Sequence, residues 1–257
     1  MRPMPRSTAR AAAAALLPAL LLGAVGCGTD APAGGKAPDP KGSAPAGTPA
    51  ASPDAGSPSG AAAPAKTGGT RLERAALAQG DLPGYQVSAR AKSPNAPDGQ
   101  PQADRKACQP LADIMGDEPD PAARETVNRG IGSHKAVGLA VSASVSSYAE
   151  RDAKALVTRL KDAVAACGTG FAATVGKQSG GYRDVRATDY RTAGDDTVSW
   201  TTTASAQGVS AQVHVVVVRQ GDTVVRLMAL NVAGAGQKAR VPHEVTDKQL
   251  EKVRRTG

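Results

Sequence analysis

The sequence predicts an α+β domain: an antiparallel sheet, with a meander of about four strands plus one or two further strands, packed by helices in two layers. Three observations carry this. Val209–Arg219 and Thr223–Val232 are long alternating valine-rich runs joined at Gln220-Gly221, which reads as a tight hairpin turn. Consecutive hairpins require antiparallel pairing. Arg151–Cys167 changes to the helical period, with Leu156, Leu160, Val164 and Cys167 on one stripe. An amphipathic helix beside half-buried strands has to cover the sheet.

The remaining elements follow in chain order. Thr70-Arg71-Leu72-Glu73 is a capping box, and the helix it opens is expected to run through Leu77 to Gly80. Asp81–Gly84 is a turn and Tyr85–Ala89 a short strand. Ser93–Ala103, rich in Pro, Asn, Asp and Gly, is a loop. Short helices are expected at Gln109–Met115 and Pro121–Arg129, the second with Asp120 as cap and Pro121 at the first helical position. Val137–Tyr148 alternates: Val137, Leu139, Val141, Ala143 and Val145 on one face, Ser142, Ser144 and Ser146 on the other. That reads as a strand buried on its apolar face only. Gly168 ends the long helix. Tyr182–Tyr190 and Val198–Ala204 complete the meander, and Thr246-Asp247-Lys248-Gln249 is a second capping box for a last short helix.

The N-terminus is different in kind. Arg2, Arg6 and Arg10 precede an apolar run, Ala11–Val25, that is too short for a membrane span of roughly 20 residues. A basic start followed by a short apolar run reads as an export signal over 1–26. The run ends Gly23-Ala24-Val25-Gly26-Cys27, which resembles the bacterial lipobox, although Ala24 stands where that pattern carries Leu, Val or Ile. The resemblance implies diacylglycerol on Cys27 and a cell-membrane anchor on the outer face. An ordinary small-residue cleavage site is the alternative. Residues 27–69 are Ala, Pro, Gly, Ser and Thr with a few charges and no Leu, Ile, Val or aromatic residue. Such a segment has nothing to bury and is expected to be a disordered linker. The domain is then 70–257.

Loss of the three signal arginines lowers the formal charge from +8 to +5. That favours contact with anionic surfaces such as lipid headgroups or wall polymers. No basic run is interleaved with aromatics, which make up 2% of the chain, so no nucleic-acid partner is expected. An exported chain is in an oxidising compartment, where its two domain cysteines, Cys108 and Cys167, are expected to pair.

Searches for chemistry end without a site. Gly170–Gln178 looks like a phosphate loop but has five residues between its glycines, and Gln178 stands in place of the magnesium-binding Ser or Thr. There is no Gly-x-Ser-x-Gly turn. His134, His214 and His243 are scattered, and His214 reads as a surface or interstrand residue. Asp195-Asp196 lies in a turn. No catalytic residue, metal or cofactor is expected.

Gly80–Tyr85, Tyr148–Ala153, Ala165–Gly168, Asp196–Trp200 and Arg219–Val225, together with the tethered lipobox, resemble a group of actinobacterial lipoproteins. Their domain is similar to the PknH-like extracellular sensor domain of receptor kinases. The resemblance implies an antiparallel sheet with packed helices, disulfide stapling, a cleft and a ligand-sensing role. It supplies no catalytic residues, and this chain has one cysteine pair where the kinase domain has two. The expected function is a non-enzymatic binding or sensor module for an unknown small-molecule, lipid or cell-wall ligand. An exported hydrolase and an envelope structural factor are the alternatives. The ligand site is expected between the sheet and the segment Ser93–His134, with Tyr85, Tyr148 and Tyr182 as candidate contacts.

Overall fold

The computed structural model describes residues 69–90, 98–232 and 238–257. Cys27, the expected signal, nearly all of the expected linker, and Ser93–Pro97 of the expected loop lie outside them. Among the described residues no helix is long and apolar enough to cross a membrane.

Among the described residues nine strands form one antiparallel sheet: β1 Tyr85–Ala89, β2 Gln102–Ala103, β3 Glu125–Ser133, β4 Leu139–Ser147, β5 Phe171–Val175, β6 Gln178–Ala187, β7 Asp196–Ala206, β8 Val209–Gln220 and β9 Thr223–Asn231. Their order is β1-β3-β4-β9-β8-β7-β6-β5-β2. The expected meander is present and extends from β5 to β9. The helices are α1 Arg71–Ala75, α2 Gln109–Met115, α3 Glu150–Ala166 and α4 His243–Thr256.

The α+β class and the antiparallel sheet are as the sequence predicts; the layering is not. Val216, Val218, Val225 and Leu227 pack with Leu72, Val245, Leu250 and Val253 of α1 and α4. Their neighbours Val215, Val217 and Val224 pack with Leu111, Leu156 and Leu160 of α2 and α3 on the opposite face. Six consecutive residues of β8, Val213–Val218, are buried for this reason. The central strands are covered on both sides, which makes three layers instead of two.

Several expected elements change. α1 ends at Ala75, because the Gln249 side chain takes over its last groups: Nε2 donates to Ala75 O (2.6 Å) and Oε1 accepts from Leu77 N (3.1 Å). The helix expected over Pro121–Arg129 is a turn followed by β3. Val127 and Ile131 are spaced i, i+4, which places them on one face of a helix and equally on one face of a strand. Register with β4, Val127 opposite Val145 and Ile131 opposite Val141, decides for the strand. The phosphate-loop look-alike is the β5–β6 hairpin, turning at Gly176 with φ 57°. Gly170, which leads from α3 into β5, has φ 101°, and a Cβ there would stand 2.2 Å from Tyr182 O. Only glycine fits. α4 begins at His243, not after Thr246, whose buried hydroxyl bonds the Tyr190 hydroxyl at 2.8 Å. His214, read as a surface or interstrand residue, is fully buried.

Candidate functional site

The serine face of β4, expected in solvent, is buried. Ser142, Ser144 and Ser146 point to the α2–α3 side, next to Thr126 and Asn128 of β3, and α3 does not reach over them. The segment Gly116–Asp120, which leaves α2, covers them instead. This polar patch is the floor of the candidate site.

α2 is fixed at both ends. Cys108, just before it, is bonded to Cys167 at the end of α3, with Cα atoms 5.9 Å apart and both residues fully buried. Arg105 donates to Ala166 O and Gly170 O, each at 2.9 Å, and so caps the C-terminal end of α3. Gln109 donates to Pro101 O (2.6 Å) and to Asp113 Oδ1 (2.7 Å) and accepts from Ala103 N (2.9 Å), which ties β2 to α2. At the other end, Arg226 rises from β9. Its Nη1 donates to Ile114 O (3.0 Å) and Gly116 O (3.2 Å), the closing carbonyls of α2. Its Nη2 donates to Ser144 Oγ at 2.6 Å and, less closely, to Ser142 Oγ at 3.4 Å.

Three cavities share Asp117 and Glu118 as a wall. One of about 30 Å³, room for a single water, lies under Gly116–Asp120 and reaches Ser144, Ser146, Tyr148 and Arg226. A second, of about 130 Å³, is bounded by Arg90, Asn128, Ser142 and Arg226. The largest, about 360 Å³, opens between Pro101 and Met115 on one side and the β5–β6 hairpin on the other, with Ala173, Val175, Tyr182, Lys177 and Gln178 in its lining. The walls are mixed: apolar surface, hydroxyls, two arginines and several carboxylates.

Burial sets the electrostatics. It lowers the Arg226 guanidinium to about 10, with Arg90 adding to the effect. It raises the Asp113 carboxyl, against the Gln109 hydrogen bond and with help from Asp120. The phenols of Tyr148 and Tyr182 are also held up by burial, with Asp120 and Asp117 respectively acting in the same direction.

The three tyrosines singled out in the sequence are not brought together. Tyr148 lines the smallest cavity, and Tyr182 lines the largest, stacked on Phe171 at 4.8 Å. Tyr85 lies in the core cluster of the other face, where its hydroxyl donates to Glu244 Oε1 at 2.6 Å and the phenol is pushed up to about 12. It joins β1 to α4. Arg226 was missed, although a signal existed: a charged residue in the middle of Val224-Val225-Arg226-Leu227-Met228, within an otherwise apolar strand. Among the described residues no three of His, Cys, Asp or Glu converge to hold a metal ion.

No protein-family model and no curated protein matches the chain. Among solved structures, the extracellular domain of PknH from Mycobacterium tuberculosis is similar at 13% identity and a TM-score of 0.46, covering 72% of this chain and 94% of that one. An uncharacterised protein from Mycobacterium smegmatis is similar at 10% identity and a TM-score of 0.38, covering 67% and 90%.

Proposed function

We propose that residues 70–257 form a non-enzymatic, sensor-like ligand-binding domain, held on the outer face of the cell membrane by a lipid on Cys27. In this reading 1–26 is the export signal and 27–69 the tether. The observation that carries the binding role is the group of cavities walled by Asp117 and Glu118, the largest of about 360 Å³. A cleft of that size with a mixed lining, apolar side chains beside charged and amide groups, suits a small molecule. It is built where a regular sheet meets an irregular segment fixed at both ends, the arrangement in which binding residues tend to sit. None of the three histidines lines it, and the His214 ring is committed to hydrogen bonds elsewhere.

The test is a thermal-shift screen of the full chain against lipids, wall fragments and small metabolites. A ligand that binds the folded state raises the melting temperature. Ala206 is an exposed residue of β7 on the rim of the large cleft, so Ala206→Trp blocks the cleft without touching the core. A hit that stabilises the wild type and not Ala206→Trp supports the reading. A hit that protects both alike, with spectral changes confined to the 209–232 hairpin, refutes the placement. For the anchor, Cys27→Ala should release the protein from membranes. Retention after a high-salt wash would refute lipidation.

A further inference from the structure

Arg226 is buried, with 8% of its surface exposed, and among the described residues none of its hydrogen-bond partners is a carboxylate. Four of its five N–H groups have neutral oxygen acceptors, and Nε has no partner among the described residues. Burying a cation without a counter-charge is strongly unfavourable, and the negative end of a helix as short as α2 compensates little of that. Arg90 lines the same cavity, with Asn128 and Ser142 as further hydrogen-bonding groups. The carboxylates there are Asp117 and Glu118. Asp117 Oδ1 is engaged by Arg90 Nη2 at 3.3 Å, a loose and half-exposed pair.

From this geometry we infer that the cavity bounded by Arg90 and Arg226 is an oxyanion site, receiving a phosphate or carboxylate group of the ligand, with Asp117 as the internal anion it displaces. Arg226 offers Nε, its one N–H without a partner among the described residues, Arg90 offers the guanidinium now loosely held by Asp117, and the Ser142 hydroxyl and the Asn128 amide NH2 add donors. Asp117 belongs to the Gly116–Asp120 wall common to all three cavities, so its displacement from Arg90 would be felt in the large cleft as well.

The inference rests on the ligand-binding reading above and deepens it. The probe is inorganic phosphate, titrated into the full chain at constant ionic strength with chloride as control. Binding is read from the Nε–Hε resonances of the arginines. Saturable shifts of the Arg90 and Arg226 signals are expected. Arg90 is half-exposed, so Arg90→Gln should fold normally and weaken binding about tenfold, the loss of one charge-assisted partner. Asp117→Asn should tighten it, because the competing carboxylate is gone. Shifts that chloride reproduces, or affinities unchanged in both variants, would overturn the inference, as would weaker binding in Asp117→Asn. Vesicles of phosphatidylglycerol distinguish the source. If they cause the same shifts and free phosphate competes, the oxyanion is a headgroup; if they do nothing while phosphate binds, it is soluble. Either result supports the site. A ligand held in the large cleft equally by wild type and Arg90→Gln would overturn the oxyanion site and leave the ligand-binding reading intact.

Discussion

His214 makes the stability of this domain depend on pH in a calculable way. Its ring is 1% exposed, on the α4 side of β8. Nδ1 accepts the backbone N–H of Val241 at 3.0 Å, so the proton of the neutral ring sits on Nε2, 3.2 Å from Thr188 Oγ1. Protonating Nδ1 would set two donors against each other. Burial lowers the imidazole from 6.5 to about 4, and Arg240 and His243 act in the same direction; Tyr190, with its ring 5.4 Å away, stays neutral, its phenol raised to about 12. The unfolded chain therefore binds this proton more tightly than the folded one. The contribution to stability is complete above 6.5 and is lost as pH falls towards 4. The full gap corresponds to about 3 kcal/mol, of which about 2 kcal/mol disappears between pH 7 and pH 5. The measurement is urea unfolding at pH 7, 6 and 5, in wild type and in His214→Gln, whose difference removes all other titrations. The wild type should lose about 2 kcal/mol more than the variant over that range. Equal losses, or an NMR titration of His214 with a midpoint near 6.5, would refute the argument.

Two further outcomes are expected. Replacing both Cys108 and Cys167 by Ser opens a loop with a sequence separation of 59 residues and should cost about 4 kcal/mol in denaturant unfolding, with hydrogen exchange rising first in α2; identical midpoints with and without reductant in the wild type would contradict this. Gln249→Leu keeps the volume but leaves Leu77 N–H and Ala75 C=O unpaired in the core, so it should destabilise by about 2–3 kcal/mol, and a loss below about 1 kcal/mol would show that water reaches those groups.

What could be read in the sequence was set by periodicity, and what could not was set by partners distant in the chain. β7, β8, β9 and α3 carry their own patterns, long enough to stand without context. β3 did not, because Val127 and Ile131 satisfy a helix and a strand equally, and only β4 decides between them. α1 was read too long because the group that ends it, Gln249, lies 174 residues away from Ala75. The large cleft borders the irregular segment singled out in the sequence, but the β5–β6 hairpin and the β7–β8 turn of the meander, which were not expected to line a site, form its other wall, and the segment is more ordered than a loop, holding β2, α2 and β3. Of the expected contacts Tyr148 and Tyr182 line cavities, whereas Tyr85, at the end of a turn with no signal of which face it meets, lies on the other side.

The serine alternation of β4 and the arginine of β9 together explain why a cavity exists here at all. Ser142 and Ser144 stand opposite Met228 and Arg226 in the β4–β9 register. On the other face the same two strands present Val141, Ala143, Leu227 and Ala229, which close a dry core under α1 and α4. Apolar residues in place of the serines would allow a helix to settle on both faces alike, as α3 does over β7 and β8. Hydroxyls and a guanidinium instead require hydrogen-bond acceptors, and the short α2 supplies them through its terminal carbonyls, Ile114 O and Gly116 O. A helix held by its end covers less of the sheet than one lying along it. The uncovered remainder is the space bounded by Asp117, Asn128 and Arg226, so the polar side chains that require satisfaction are also the ones left facing the cavity.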